Sequence, residues 1–279
     1  LMHEANVPCY DSPDKAIRAL GAMVHYKRMR EASGDTAPVV VEGDRQKVQD
    51  VIASVRRSGR TSLSESEGKE ILRAYGVAIP TEITASTAEA AAQAAAKIGF
   101  PVVMKIDSPD IAHKSDVGGV MVGVGSESAV RQSFELMMSK VRSRVPGATI
   151  NGITICQMVK GKEVLMGMTR DEQFGPVITF GLGGVFVEIM KDVSQRIAPL
   201  TKHDVDTMVR SIRSYPILTG ARGGRTADIE SLKDTIFRIS QIALDFPEIS
   251  ELEVNPVMVG DEGKGTYAVD ALVVLRREN

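Results

Sequence analysis

An α+β fold of two lobes, each an antiparallel sheet with flanking helices, is what the sequence predicts. Three observations carry it. From about residue 44 two helical periodicities come first, then strands and helices alternate. The strand-like runs are short and bounded by turn residues, and no long βαβ series of the kind that builds a doubly wound parallel sheet is present. The length, 279 residues with 43% apolar and 25% charged side chains, suits one large or two small domains with a sizeable core.

Taken in order, Ser12 and Pro13 open the first helix as cap and first helical residue, and Ala16, Ile17, Leu20, Met23 and Val24 give it an apolar stripe to about residue 31. Residues 32–43 mix Gly, Asp, Thr and Pro around a short valine run and read as a linker, with the best boundary near Asp44. Residues 46–57 form an amphipathic helix, and 66–75 a second one stopped by Gly76. Residues 77–84 read as a strand. Thr87 caps an Ala-rich helix over 88–98 that Gly99 ends. Short strands at 101–106 and 119–124 precede a long helix over 127–145. Strands at 153–159, 163–170 and 177–180 follow, then helices over 203–214 and 228–244, and a C-terminal hairpin.

That hairpin is the most informative stretch. The run Glu251-Leu-Glu-Val-Asn-Pro-Val-Met-Val259 and the segment to Asp270 fold about Gly260-Asp-Glu-Gly-Lys-Gly265. Folding at the Glu262/Gly263 bond sets Asn255 opposite Asp270, and Glu253 shares their face. Leu252, Val254, Met258, Val269, Ala271 and Val273 take the other face as core. Two carboxylates and an amide oxygen around one point suit Mg²⁺, which uses few protein ligands and completes its shell with water and phosphate. A solvated polar face is the alternative.

Lys105 lies in the apolar run Val102-Val-Met-Lys-Ile106 and points away from Met104 and Ile106. It reads either as an edge-strand lysine reaching solvent or as a point charge beneath a ligand phosphate. His113-Lys-Ser-Asp-Val-Gly-Gly119 ends in the paired glycines Gly118 and Gly119, whose backbone could approach phosphate oxygens. Its histidine could carry a phosphoryl group. Gly181-Leu-Gly-Gly184 lacks the spacing of a dinucleotide fingerprint and the Lys-Ser/Thr ending of a P-loop, and no Gly-x-Ser-x-Gly elbow is present.

The formal net charge of −2 gives no basic excess, so nucleic acid is not an expected partner. No apolar run reaches a membrane span, and no membrane partner is expected. Cys9 and Cys156 are far apart and read as buried thiols of a reducing, cytoplasmic compartment. The four scattered histidines show no zinc spacing.

Taken together, residues 62–279 resemble the ATP-grasp part of the ADP-forming acyl-CoA synthetases, relatives of succinyl-CoA synthetase. The resemblance rests on residues 63–80 and 101–106, on Pro109-Asp-Ile-Ala-His-Lys-Ser-Asp-Val-Gly-Gly119 and on Phe180-Gly-Leu-Gly-Gly-Val-Phe-Val-Glu188. It also rests on Lys191-Asp-Val-Ser-Gln-Arg-Ile-Ala-Pro-Leu200, Thr219-Gly-Ala-Arg-Gly223 and Glu251-Leu-Glu-Val-Asn-Pro256. Residues 1–33 resemble the end of a preceding flavodoxin-like CoA-ligase domain, with 34–61 as linker and helix, so the chain is expected to be the C-terminal part of a fused synthetase. The resemblance implies an ATP-grasp fold with ATP or ADP between two lobes and Mg²⁺ as cofactor. It implies interconversion of acyl-CoA, ADP and phosphate with acid, CoA and ATP through phosphohistidine. The implied partner is a CoA-ligase domain or subunit carrying another phosphohistidine, in an oligomeric assembly. By resemblance Lys105 holds nucleotide phosphates, His113 carries phosphate, and Asn255 and Asp270 ligate Mg²⁺ with Glu253 nearby. Gln157 to Val159 form the adenine-reading hinge, Glu163 contacts ribose, and Asp192 and Arg196 lie near the transferred phosphate. A regulatory nucleotide-sensing module without turnover is the other reading.

Overall fold

The computed structural model describes residues 8–32, 37–111, 114–183 and 192–277. His113, residues 1–7 and most of the motif running to Glu188 lie outside the described residues.

Helix α1 (Pro13–Ala32) comes first, and its stripe residues Ile17, Leu20 and Met23 are exposed. The segment after it, read from sequence as a linker, lies along the larger lobe: Val39 N–H donates to Leu200 O at 3.0 Å, and Val41 N–H to Gln241 Oε1 at 3.2 Å. Asp44 caps α2 (Arg45–Arg57), accepting from Lys47 N–H. Ser64 and Glu67 form a reciprocal capping box on α3 (Glu65–Ala74), which fixes where that helix starts.

The smaller lobe is one uninterrupted segment. It contains β1 (Glu82–Ala85), α4 (Ala88–Ile98), β2 (Val102–Asp107), β3 (Val120–Val124), α5 (Glu127–Arg144) and β4 (Gly152–Gln157). Its sheet is antiparallel in the order β1-β4-β2-β3. Thr87 caps α4 and the alanines Ala91, Ala92, Ala94 and Ala95 are buried, so the Ala tract is a packed helix. Val102, Met104, Ile106, Ile153 and Ile155 turn to that helical side. The opposite face of this sheet carries Lys105 and Thr154, which are register partners, and Cys156 beside Glu82.

The larger lobe continues with β5 (Lys162–Asp171), β6 (Gly175–Leu182), β7 (Val193–Ile197), α6 (Lys202–Ser211), α7 (Tyr215–Leu218) and α8 (Ile229–Asp245). It closes with β8 (Ile249–Val259), β9 (Thr266–Ala268) and β10 (Leu272–Leu275). Its antiparallel sheet runs β10-β8-β5-β6-β7, with β9 paired to β8. Val164, Met166, Met168, Ile178 and Phe180 build its core with α6 and α8. Val48, Val51, Ile52 and Val55 of α2, with Ile71 and Leu72 of α3, complete the same core.

Two expectations are corrected here. The strand expected over 77–84 forms only at Glu82–Ala85. Residues 77–81 cross between lobes instead, with Ala78 O accepting from Ala268 N–H of the larger sheet at 2.9 Å and Thr81 O from Gln157 N–H of the smaller at 2.8 Å, without forming a ladder with either. The expected single core face of the hairpin also changes sides. Val257 and Val259 are fully buried while Met258 is half-buried. The cause is a bulge: Val164 pairs with Val257 but Met166 with Val254, so Asn255 and Pro256 together face Leu165.

Candidate functional site

The hairpin register is the one read from the sequence. Val257 pairs with Ala268 on β9 and Leu272 with Glu253 on β10, which brackets Asn255 opposite Asp270. Asn255 Nδ2 donates to Glu253 Oε1 at 3.2 Å, leaving the amide oxygen turned elsewhere. Glu253, Asn255 and Asp270 line one cavity of about 420 Å³. Ser108, Ile111 and Lys114 of the smaller lobe and Glu65 of α3 also line it, so this cavity lies between the lobes. Two carboxylates and an amide oxygen are hard donors and fit a magnesium ion with an incomplete protein shell. Among the described residues no three or more His, Cys, Asp or Glu side chains are grouped to hold a metal ion. Burial pushes the Asp270 carboxyl above its ordinary value, opposed by the Lys105 ammonium beside it.

Lys105 is not an edge-strand lysine. Strand β2 lies inside its sheet, between β4 and β3, and the side chain is almost fully buried. Its ammonium donates to Val269 O at 3.0 Å and Glu65 Oε1 at 3.1 Å, and lies 3.7 Å from Asp270 Oδ2. A cation from one lobe thus meets the carboxylate of the other.

Behind Lys105 stands a cluster that sequence reasoning missed. Lys69, only 2% exposed, bridges Glu65 at 2.7 Å and Glu82 at 2.8 Å, and Arg73 pairs with Glu82 at 2.7 Å. Lys114 reaches Glu65 at 2.6 Å. Burial penalises the Lys69 charge, but Glu65 and Glu82 outweigh it and raise its pKa above the ordinary lysine value.

The paired glycines serve the turn. Gly118 N–H donates to Ser115 O and Gly119 N–H to Lys114 O, so neither amide is available to a phosphate oxygen in this arrangement. A Cβ on Gly119 would sit 2.5 Å from Ile106 Cγ2, so glycine lets this turn pack directly on β2 beside Lys105.

Gln157 ends β4 and Glu163 is the second residue of β5, so 158–161, with half-buried Val159, connects the two sheets. The entering and leaving chains are tied there: Gln157 N–H donates to Thr81 O at 2.8 Å, and Thr81 N–H to Gln157 Oε1 at 3.4 Å. Glu163 is exposed at the start of β5 and its carbonyl accepts from Gly183 N–H at 2.8 Å.

Arg196 and Asp192 do not join this group. Arg196 pairs with Ile178, a core residue, so strand alternation turns it to the helical side of the sheet, where it donates to Ser194 Oγ and Thr207 Oγ1. Asp192 accepts from Arg213 N–H, Ser214 N–H and Ser214 Oγ at 2.5–2.8 Å, which ties β7 to the loop after α6. Burial raises its carboxyl, but the Ser214 and Arg213 donors outweigh this and hold it below its ordinary value. Both side chains are committed to local structure, away from Asn255 and Asp270.

A model of the ATP-grasp domain matches residues 54–275. The chain belongs to the ATP-grasp family. The β subunit of an ADP-forming acetate–CoA ligase from Pyrococcus furiosus is 44% identical over 230 residues, covering 82% of this ATP-grasp chain and 98% of the relative. An ADP-forming acetate–CoA ligase of Archaeoglobus fulgidus is 40% identical over 280 residues, which is 100% of this chain but 40% of the relative. The chain therefore spans about two-fifths of the length of the first curated relatives it matches. Among solved structures, an acetyl-coenzyme A synthetase of Candidatus Korarchaeum cryptofilum, in complex with coenzyme A and Ca-AMPCP, superposes with a TM-score of 0.78 at 42% identity, over 82% of this chain and 99% of that one. The same protein with coenzyme A and Mg-AMPPCP, its phosphohistidine segment pointing towards the nucleotide-binding site, gives 0.72 at 38% identity over 82% and 100%. The ATP-grasp fold expected from the motifs is thus the fold observed.

Proposed function

We propose that this ATP-grasp chain is the nucleotide-binding and phosphoryl-transfer part of an ADP-forming acyl-CoA synthetase. Joined to a CoA-ligase domain or subunit, it interconverts acyl-CoA, ADP and phosphate with acid, CoA and ATP. The observation that carries this reading is the approach of the Lys105 ammonium of the smaller lobe to within 3.7 Å of Asp270 Oδ2, where Asp270 lines the interlobe cavity together with Glu253 and Asn255 of the larger. A buried lysine and a hard-oxygen donor set are what a magnesium-bound polyphosphate requires. The relatives' names and the nucleotide analogues bound by the Korarchaeum protein point the same way.

In this reading Lys105 holds nucleotide phosphates, and Asn255 and Asp270, with Glu253 beside them, hold Mg²⁺, which neutralises phosphate charge. The 157–163 connection meets adenine and ribose through Gln157, Val159 and Glu163. His113 is the phosphoryl carrier, and residues 1–33 are the end of the CoA-ligase region. The cytoplasm is the expected compartment; no helix among the described residues is long and apolar enough to cross a membrane.

Calorimetric titration of the chain with ADP and ATP, with Mg²⁺ and with EDTA, tests the binding half. Incubation with γ-labelled Mg-ATP tests the transfer half: an acid-labile label is expected on wild type and absent from His113→Ala. A folded chain that takes up neither nucleotide nor label would refute the proposal.

A further inference from the structure

Glu65 opens α3 between the two lobes and is the shared anion of three ammoniums. Its Oε1 accepts from Lys69 at 2.7 Å and Lys105 at 3.1 Å, and its Oε2 from Lys114 at 2.6 Å. Burial pushes its carboxyl up, but Lys105, Lys69 and Lys114 together hold it well below the usual carboxylate range, so it is anionic at neutral pH.

Two consequences follow from the geometry. Lys114 is the residue after His113, so its ion pair ties the chain leaving His113 to the first turn of α3. That helix is anchored in the larger lobe: Leu63 N–H donates to Val273 O at 3.0 Å, and Gly68 packs against Ala271, the neighbour of Asp270. Second, Lys105 spends one of its three donors on Glu65 and another on Val269 O, which turns its ammonium toward α3.

We infer that Glu65 is a positioning residue for phosphoryl transfer, setting through Lys114 where the chain next to His113 sits and restraining through its charge the pull of Lys105 on nucleotide phosphates. This rests on the reading of His113 as carrier and Lys105 as phosphate ligand. In the step served, a ring nitrogen of His113 attacks the terminal phosphorus of ATP. The N–P bond forms, the bond from that phosphorus to the bridging oxygen breaks with its electron pair leaving on ADP, and the proton of the other ring nitrogen passes to water. Such in-line attack is steeply sensitive to placement, with a misplacement of about 1 Å costing on the order of a hundredfold.

The two roles predict a split that a structural role would not give. Glu65→Gln removes an anion beside Lys105 without removing the lysine. Nucleotide affinity, measured by titrating Mg-ATP calorimetrically, should rise roughly two- to fivefold, as the Coulomb term beside a partly buried cation requires. The single-turnover rate of label transfer to His113 should fall at least about tenfold. Lys114→Met should slow labelling by a similar factor at unchanged affinity. The double variant should be no slower than either single one, because both remove one tether. Lys114→Arg keeps the ion pair and should retain most of the rate. Labelling of Glu65→Gln at the wild-type rate, or slowed together with weakened nucleotide binding, would overturn the inference. If Glu65→Gln does not fold, the Lys114 variants decide: Met and Arg behaving alike would overturn it. A wild-type chain that takes up no label defeats the proposed function instead, which keeps the two failures distinct.

Discussion

Lys69→Met cuts one of the ionic links that join the two lobes. Lys69 comes from α3, its side chain is 2% exposed, and it bridges Glu65 of its own helix to Glu82 of β1 in the smaller lobe. Methionine keeps most of the stem, so little packing is lost. Removing one partner of a buried ion pair costs about 3–5 kcal/mol when the remaining charge has no other partner. Here each carboxylate keeps some compensation: Glu82 retains Arg73 at 2.7 Å, and Glu65 retains Lys105 and Lys114. The expected loss is therefore below that range, about 2–3 kcal/mol. At roughly 2–4 °C per kcal/mol for a chain of this size, the melting temperature followed by circular dichroism should fall by about 4–12 °C. Glu82→Gln in the same background should recover part of the loss, because it removes the least compensated charge. A Lys69→Met protein within about 0.5 kcal/mol of wild type would show that the cluster is solvated and contributes no more than a surface pair.

Asp270→Asn should leave the melting temperature near that of wild type, because an Asn oxygen can still accept from Ala271 N–H as Asp270 Oδ1 does at 2.9 Å. It should weaken Mg-nucleotide binding by about tenfold or more, or ~1.4 kcal/mol, while binding measured in EDTA changes little; equal magnesium dependence in both proteins would remove Asp270 from the metal site. Cys156 is buried and its thiol is pushed up to about 11, burial outweighing the opposing Lys69 and Lys105 charges. An acid whose folded pKa is raised stays protonated while the unfolded thiol ionises, so stability should fall as pH rises from about 9 to about 11. Cys156→Ala should flatten that slope, and a thiol reagent at pH 8 should label exposed Cys9 in the folded protein but Cys156 only on unfolding; rapid labelling of both would contradict the burial.

Much of this was legible because it depends on near neighbours in the chain. The helix start at Thr87 follows from capping chemistry and the start of α1 at Pro13 from proline's preference for the first helical position, and the Asn255/Asp270 opposition follows from one tight turn. What escaped depends on distant pairing. Period-2 alternation assumes one residue facing one, so the two-residue bulge at Asn255 and Pro256 was invisible and Met258 was given the wrong side. Arg196 could be placed on a face only once β7 was known to pair with β6. Glu65 was hidden in another way. A first-turn acid followed four residues later by a lysine reads as a helix-end charge and a solvated pair. Its partners Lys105 and Lys114 lie 40 and 49 residues further on, where no local pattern reaches.

The order of segments along the chain also bears on how the molecule is made. The smaller lobe draws its core from one continuous stretch between Ala85 and Ile155, so a ribosome can release it as a complete folding unit. The larger lobe cannot begin that way. Val48, Val51, Ile52, Val55, Ile71 and Leu72 emerge early, yet the strands that cover them start at Lys162. At about 5–20 residues per second, those apolar helix faces wait roughly 4–20 s during synthesis for their sheet. Over that interval α2 and α3 are the segment most exposed to wrong contacts or chaperone capture, and slowing translation between residues 76 and 162 should lower the yield of folded protein while leaving its final stability unchanged.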